Sequence, residues 1–194
     1  MRSLFLTSFG IHAPLGYGLV EKYLKEEKLE KKKILLITLP EYEIDLKLIK
    51  ACVNMGFQEQ FVTVFQEEKR QEIEEVCFDY IYVSEGNTFE ILEYIRQNQL
   101  VSLIRKNIKN GADYIGASAG AHIAGMDIEA AIPFDRNRLA VTDFEGLGLF
   151  NGVAIPHYDA SDVRRFLSYK TARDSGKYQV VYTIGNEEIL KISS

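Results

Sequence analysis

The chain has 194 residues, of which 46% are hydrophobic and 26% charged, and a formal net charge of −5. This describes a globular chain with room for a substantial core, read here as one domain over residues 1–194. The acidic balance argues against general binding to nucleic-acid backbones, which depends on counterion release, and no apolar run approaches the ~20 residues that span a bilayer.

The first apolar run, Leu4-Phe5-Leu6, reads as a strand, and Met1 to Phe9 is too short and too promptly interrupted for a secretory signal, so a cytoplasmic location is expected. A glycine-bordered loop with His12 follows, then a helix-prone stretch from Leu19 to Leu29. Lys31-Lys32-Lys33 reads as solvated charge at the bottom of a sheet, just before a strand over Ile34 to Ile37. Next come a helix from Ile44 to Met55 stopped by Gly56, a strand from Phe61 to Phe65, and a helix from Lys69 to Val76. Cys52 and Cys77 lack metal-ligand spacing and are expected to be reduced thiols.

Tyr80 to Val83 reads as a strand that opens into the loop Ser84-Glu85-Gly86-Asn87-Thr88, where Asn87 or Thr88 can cap a helix over Phe89 to Gln97. A helix from Leu100 to Ile108 closes at Gly111, and Asp113-Tyr114-Ile115 forms the next strand. After the helix-prone Ala119 to Ala124, an apolar strand runs through Val153-Ala154-Ile155 into Pro156-His157. Ser161 to Ser175 reads as a mixed polar helix, Val180 to Ile184 as a strand, and Glu188 to Ile192 as a last strand or hairpin arm. Alternating strands and helices imply an α/β, doubly wound, mostly parallel sheet with helices on both faces and ligands bound outside the carboxyl ends of the strands.

Two loops lie at such ends. One holds Gly116-Ala117-Ser118-Ala119-Gly120, a G-x-S-x-G frame between a strand and a helix. In that setting a sharp turn exposes the serine oxygen, the next N–H, on Ala119, can bind a developing oxyanion, and the helix terminus adds positive potential. A serine needs a base, and the histidines are His12, His122 and His157. His157 follows a strand and a proline, which suits a rigidly aimed base; His122 reads as substrate-side or helix-packing, and His12 as a surface loop residue. For the group that orients the base, Asp127, Glu129, Asp135 and Asp143 all lie between Ser118 and His157. Dinucleotide, P-loop and zincin motifs are absent from the sequence.

Taken together, these residues resemble the dipeptidase E (α-aspartyl dipeptidase) and cyanophycinase family of serine peptidases. Ser84 to Phe89 is similar to that family's G-G-N-T-F loop, Gly116 to Ala121 to its S-A-G-A elbow, Pro156-His157-Tyr158 to its P-H-[YF], and Gly185-Asn186-Glu187 to a late G-N turn. The resemblance implies a class I glutamine amidotransferase-like, flavodoxin-like fold and hydrolysis of short peptides next to aspartate, at N-terminal Asp-X, through an acyl-enzyme without metal or cofactor. It implies Ser118 as nucleophile, His157 as base, and Asp135, before Asp127 or Glu129, as acid. The oxyanion hole would join the Ala119 N–H to one in the Glu85-Gly86 loop, taken as Gly86, while Glu85, Asn87 and Thr88 would meet the small peptide substrate.

Ser84 and Glu85 stand where the family usually has consecutive glycines, so the backbone of this turn and the fate of the Glu85 carboxylate become structural questions. Glu85 is expected either to bind a substrate ammonium group or to repel the oxyanion. The alternative reading is therefore a catalytically weakened member that binds a small acidic ligand or a partner in the same cleft. Amidotransferase-like acyl transfer is disfavoured, because that chemistry normally has cysteine at the elbow. No partner beyond a peptide is implied, and the sequence does not fix an oligomeric state.

Overall fold

The computed structural model describes residues 3–40 and 45–193. Along the chain these form β1 (Ser3–Thr7), α1 (Pro14–Leu24), β2 (Ile34–Ile37), α2 (Asp45–Met55), β3 (Val62–Val64), α3 (Arg70–Glu74) and β4 (Tyr80–Val83). They continue as α4 (Thr88–Gln97), α5 (Leu100–Lys109), β5 (Asp113–Ala117), α6 (Ala119–Ile123), β6 (Gly152–Ile155), α7 (Val163–Asp174), β7 (Val180–Thr183) and β8 (Ile189–Ser193). Six strands make the main sheet in the order β3-β2-β4-β5-β1-β8. Its strands run parallel except β8, which is antiparallel to β1.

The continuous apolar runs follow from burial on both faces of this sheet. Alternate residues supply two cores, because successive strand side chains point to opposite faces. Leu4, Leu6, Leu35, Ile37, Ile81, Val83 and Tyr114 pack with α4, α5 and α6. Phe5, Ile34, Leu36, Tyr80, Tyr82 and Ile115 pack with α1 and α2. Cys52 belongs to the second core, where burial pushes its thiol up to about 12, and Cys77 is exposed; both are free. Lys32 pairs with Asp79 at 2.9 Å, beside the start of β2 as expected for charge at the bottom of a sheet.

Three elements differ from the sequence expectation. The first helix begins at Pro14 and ends at Leu24, earlier than the Leu19 to Leu29 stretch; Pro14 supplies the fixed φ of a first helical position, and Leu29 falls in a short 3₁₀ turn. The basic and acidic stretch near Lys69 gives only the five-residue α3, preceded by a 3₁₀ turn. The apolar run at Val180 is a strand, but it pairs in parallel with β6 as a separate two-stranded sheet. Periodicity identifies a buried strand without naming its neighbour, and here α7 is the crossover that returns the chain beside β6. Ile44, the expected start of the second helix, lies outside the described residues. Among those residues no helix is long and apolar enough to cross a membrane.

The turn from β5 into α6 is wedged against β4. A Cβ on Gly120 would lie 2.2 Å from the Val83 carbonyl oxygen, and backbone on both sides leaves nothing flexible to move. Tyr114 hydroxyl donates to the Gly120 carbonyl at 2.7 Å within the buried core, fixing the same turn from below. Gly120→Ala is expected to lower unfolding free energy by about 2 kcal/mol or more. Gly18→Ala, in α1 where a Cβ meets nothing within 4 Å, should instead raise it by about 0.5–1 kcal/mol. Urea titration of the two variants checks the contrast, and equal stabilities would remove the steric argument.

Candidate active site

Ser118 stands between β5 and α6 with φ 48° and ψ −103°, a conformation that a residue with a side chain rarely adopts. Such strain persists only where the surroundings over-determine it. Here the Ser118 N–H donates to the Thr7 carbonyl at 2.8 Å, extending the β1 pairing, while its own carbonyl accepts from Ala121 and His122 in α6. The side chain is left at the carboxyl end of the sheet, half-buried.

His157 comes from the loop after β6 and also has positive φ, 54°. Its Nε2 lies 3.1 Å from Ser118 Oγ. Its Nδ1 lies 3.0 Å from Asn186 Oδ1. A carbonyl oxygen only accepts, so Nδ1 carries the proton and donates to it, and the Nε2 lone pair is free to accept from the Ser118 hydroxyl. Phe9 packs edge-on against the imidazole, with centroids 5.0 Å apart and planes at 85°. The His157 N–H donates to Ser8 Oγ at 2.8 Å, and Ser8 in turn donates toward the Ile184 and Gly185 carbonyls. Burial lowers the His157 pKa below its ordinary value; the Asn186 hydrogen bond and the Glu85 and Asp135 carboxylates oppose that shift, and the Arg165 charge adds to it.

The acids expected to orient His157 are engaged elsewhere. Asp135 Oδ2 accepts from the Thr88 N–H at 2.9 Å and from the Thr88 hydroxyl, at the start of α4. Asp127 is buried and accepts from Tyr178, at 2.8 and 2.9 Å, and from Lys177, which also reaches Glu129. Asp143 lies with Arg96 at 3.1 Å. Among the described residues none of these carboxylates hydrogen-bonds the imidazole, whose partner is the uncharged Asn186. The three donors that Thr88 and Tyr178 present decide the placement of Asp135 and Asp127, and order along the chain carries no information about those donors.

The second loop brings the Glu85 carboxylate close enough to His157 to act on its charge. Within Ser84-Glu85-Gly86 only the glycine takes a positive φ, 149°, and a Cβ there would lie 2.9 Å from Ile91 Cδ1. Ser84 and Glu85 therefore occupy ordinary backbone, and the one retained glycine stands where the turn requires it. Both oxygens of the Glu85 carboxylate have partners: Oε2 accepts from the Gly10 N–H at 2.7 Å and Oε1 lies 3.0 Å from His12 Nε2. His12, expected as a surface loop residue, is thus tied to Glu85. Asn87 and Thr88 have their side chains committed to the loop, Asn87 Oδ1 capping α4 through the Phe89 and Glu90 N–H groups and Thr88 bonded to Asp135. No hydrogen bond among the described residues uses the Ala119 or Gly86 N–H.

The model of peptidase family S51 matches residues 21–194, which include both loops, His157 and Asn186. The chain belongs to peptidase family S51. It is 34% identical over 116 residues to the uncharacterized peptidase Lmo0363 of Listeria monocytogenes, covering 59% of this chain and 56% of that protein. It is 34% identical over 119 residues to Peptidase E of Pasteurella multocida, covering 60% of this chain and 47% of that protein. The chain thus spans about half the length of the curated relatives it matches. In three dimensions it is similar to a candidate peptidase E protein from Listeria monocytogenes, with TM-score 0.71 and 24% identity over 100% of this chain and 99% of that one. A peptidase from an acI-B1 actinobacterium gives TM-score 0.71 at 19% identity, covering 99% of this chain and 83% of the other.

Within this S51 chain the structure adds residues that the motifs leave out. Asn186 was visible as part of a G-N turn, without a role; Ser8, Phe9 and Arg165 carry no motif at all. His122 is a packing residue: it is fully enclosed, its ring lies 5.4 Å from that of Phe134, and burial lowers its pKa to about 3.

His157 should titrate below 6.5, and Asn186→Asp should raise its midpoint, because a carboxylate beside Nδ1 favours the charged ring; NMR of labelled histidine reads both, and an unmoved midpoint would remove Asn186 from Nδ1. His122 accepts a proton in the unfolded chain near 6.5 but in the folded one only near 3. Stability should therefore fall as pH drops through that window, by on the order of 1.4 kcal/mol per unit. Urea unfolding at pH 7 and pH 5 should show a smaller loss for His122→Gln than for the parent.

Proposed function

We propose that the protein is a serine exopeptidase that hydrolyses short peptides next to aspartate, at the N-terminal Asp-X bond, through an acyl-enzyme on Ser118. The observation that carries this reading is the 3.1 Å approach of His157 Nε2 to Ser118 Oγ, with Nδ1 already held by an acceptor. Membership of S51 and the Peptidase E relatives support the peptidase part. The Asp-X preference rests on the family resemblance.

In this mechanism Ser118 Oγ attacks the peptide carbonyl carbon as its proton passes to His157 Nε2. The tetrahedral oxygen is received by the Ala119 and Gly86 N–H groups, which need not break protein hydrogen bonds to do so. The imidazolium then returns its proton to the leaving amine, and water, activated by the same ring, releases the acyl group. Asn186 keeps the ring in the required tautomer. It brings no charge, so the imidazolium is favoured instead by the Glu85 and Asp135 carboxylates. The neutral orienting amide has a precedent in the Cys-His-Asn arrangement of papain-like proteases. Glu85, held by Gly10 and His12 rather than aimed at the oxyanion, suits the free ammonium of a substrate's first residue.

Release of a chromophore from Asp-X substrates by the wild type should fall by at least ~10⁴-fold in Ser118→Ala. Equal rates in the two proteins across a panel of N-terminal residues would defeat the peptidase reading and leave a binding role for the cleft. Activity on Ala-X equal to that on Asp-X would defeat the aspartyl preference alone.

A further inference from the structure

Arg165, on the first turn of α7, is the remaining charged group against the base, and no sequence motif marks it. Its Nη1 donates to the Pro156 carbonyl at 2.6 Å. Its guanidinium carbon sits 3.6 Å from the centroid of the Phe134 ring. Among the described residues no carboxylate comes within salt-bridge distance of it, so this half-buried cation is not held by an ion pair. The carbonyl it binds belongs to the peptide whose N–H, on His157, donates to Ser8 Oγ at 2.8 Å.

One peptide plane is therefore gripped at both edges, the carbonyl by Arg165 and the N–H by Ser8. Rotation of that plane changes φ of His157, and φ there is 54°, a value that costs energy for a residue with a side chain. Without the carbonyl-side grip the loop can relax toward negative φ, which swings the ring away from Ser118. The grip is also tied to the other half of the site. Phe134, on which Arg165 lies, precedes Asp135, whose carboxylate holds Thr88 at the end of the Glu85-Gly86 loop.

We infer that Arg165 is a positioning residue: it clamps the Pro156–His157 peptide against Phe134 and so holds His157 Nε2 on Ser118. The role depends on the planar fork, which can stack on an aromatic face and donate in its own plane at once; a lysine ammonium cannot do both. The inference rests on His157 serving as the base of Ser118.

The charged and titratable groups that act on His157 are Arg165 on α7, Glu85 in the loop after β4, Asp135 in the loop before β6, and His122 on α6, which is neutral. Of these Arg165 alone disfavours the imidazolium by its charge, so its removal should raise the His157 midpoint. The test uses the full chain with Arg165→Gln and Arg165→Lys, each checked for folding by its thermal melt. Two readouts are taken: the His157 midpoint by NMR, and the rate at which a fluorophosphonate labels Ser118 as a function of pH, followed by intact mass.

Arg165→Gln should move the midpoint and the acid limb of labelling to higher pH, and should slow labelling on the plateau roughly tenfold to a hundredfold. Arg165→Lys should keep the midpoint near the parent's, because the charge remains, yet label as slowly as the glutamine variant. If the glutamine variant does not fold, the lysine variant alone decides through its plateau rate. A plateau rate unchanged from the parent in the folded variants would overturn the inference, whatever the midpoint does. Absence of labelling in the parent would count against the peptidase reading; the His157 ring position in a crystal structure of Arg165→Lys, which needs no turnover, would then decide the role of Arg165, and a ring still on Ser118 Oγ would overturn it.

Discussion

The contact between Gly120 and the Val83 carbonyl is the constraint on which the site depends. It lets α6 start directly above the sheet, closer to β4 than any side chain allows, and leaves Ser118 to make the turn at positive φ. The strain at Ser118 is held by cooperative burial: Tyr114 bonds the Gly120 carbonyl from inside the core, and Thr7 receives the Ser118 N–H from the neighbouring strand. Because β1, β4 and β5 are adjacent and parallel, their carboxyl ends bring Ser8, the Glu85-Gly86 loop and Ser118 to one edge of the sheet. The sheet order thus does the positioning, and the loops supply the chemistry.

The second half of the site comes from outside that sheet. His157 and Asn186 leave the ends of β6 and β7, the two strands of the small sheet, and meet because those strands are paired in register. An uncharged amide at Nδ1 has a defined consequence. It fixes the tautomer as a carboxylate would, but leaves stabilisation of the imidazolium to carboxylates that are near rather than bonded. Burial favours the neutral form of this imidazole, and as a proposed base it depends more on being held in place than on the charge of its partner. That dependence gives weight to the two-sided grip on the Pro156–His157 peptide.

The parts of this design legible in the sequence are those set by local pattern. Apolar runs such as Ile34 to Ile37 and Tyr80 to Val83 announce strands buried on both faces, and the small residues around Ser118 announce a close strand-to-helix turn. Pro156-His157 announces a histidine at a strand end. What stays hidden depends on long-range partners. Asp135 lies in the right interval for an orienting acid, yet two donors of Thr88 take its carboxylate, and a G-N turn 29 residues beyond His157 supplies the orienting oxygen instead. The substitution of Glu85 for a glycine looked damaging beside an oxyanion; the Gly10 N–H and His12 turn its carboxylate aside, and the turn needs glycine only at Gly86. Neither outcome can be read from spacing, since each depends on a loop from another strand.

In the proposed mechanism Ser118 and the Ala119 and Gly86 N–H groups form one acyl-transfer site. A crystal structure of the protein soaked with a short peptide aldehyde would distinguish this arrangement from a cleft that only binds. A covalent hemiacetal is expected on Ser118 Oγ, with its oxygen within hydrogen-bond distance of the Ala119 and Gly86 N–H groups. An aldehyde bound without a bond to Ser118, or a hemiacetal whose oxygen points away from both donors, would contradict it.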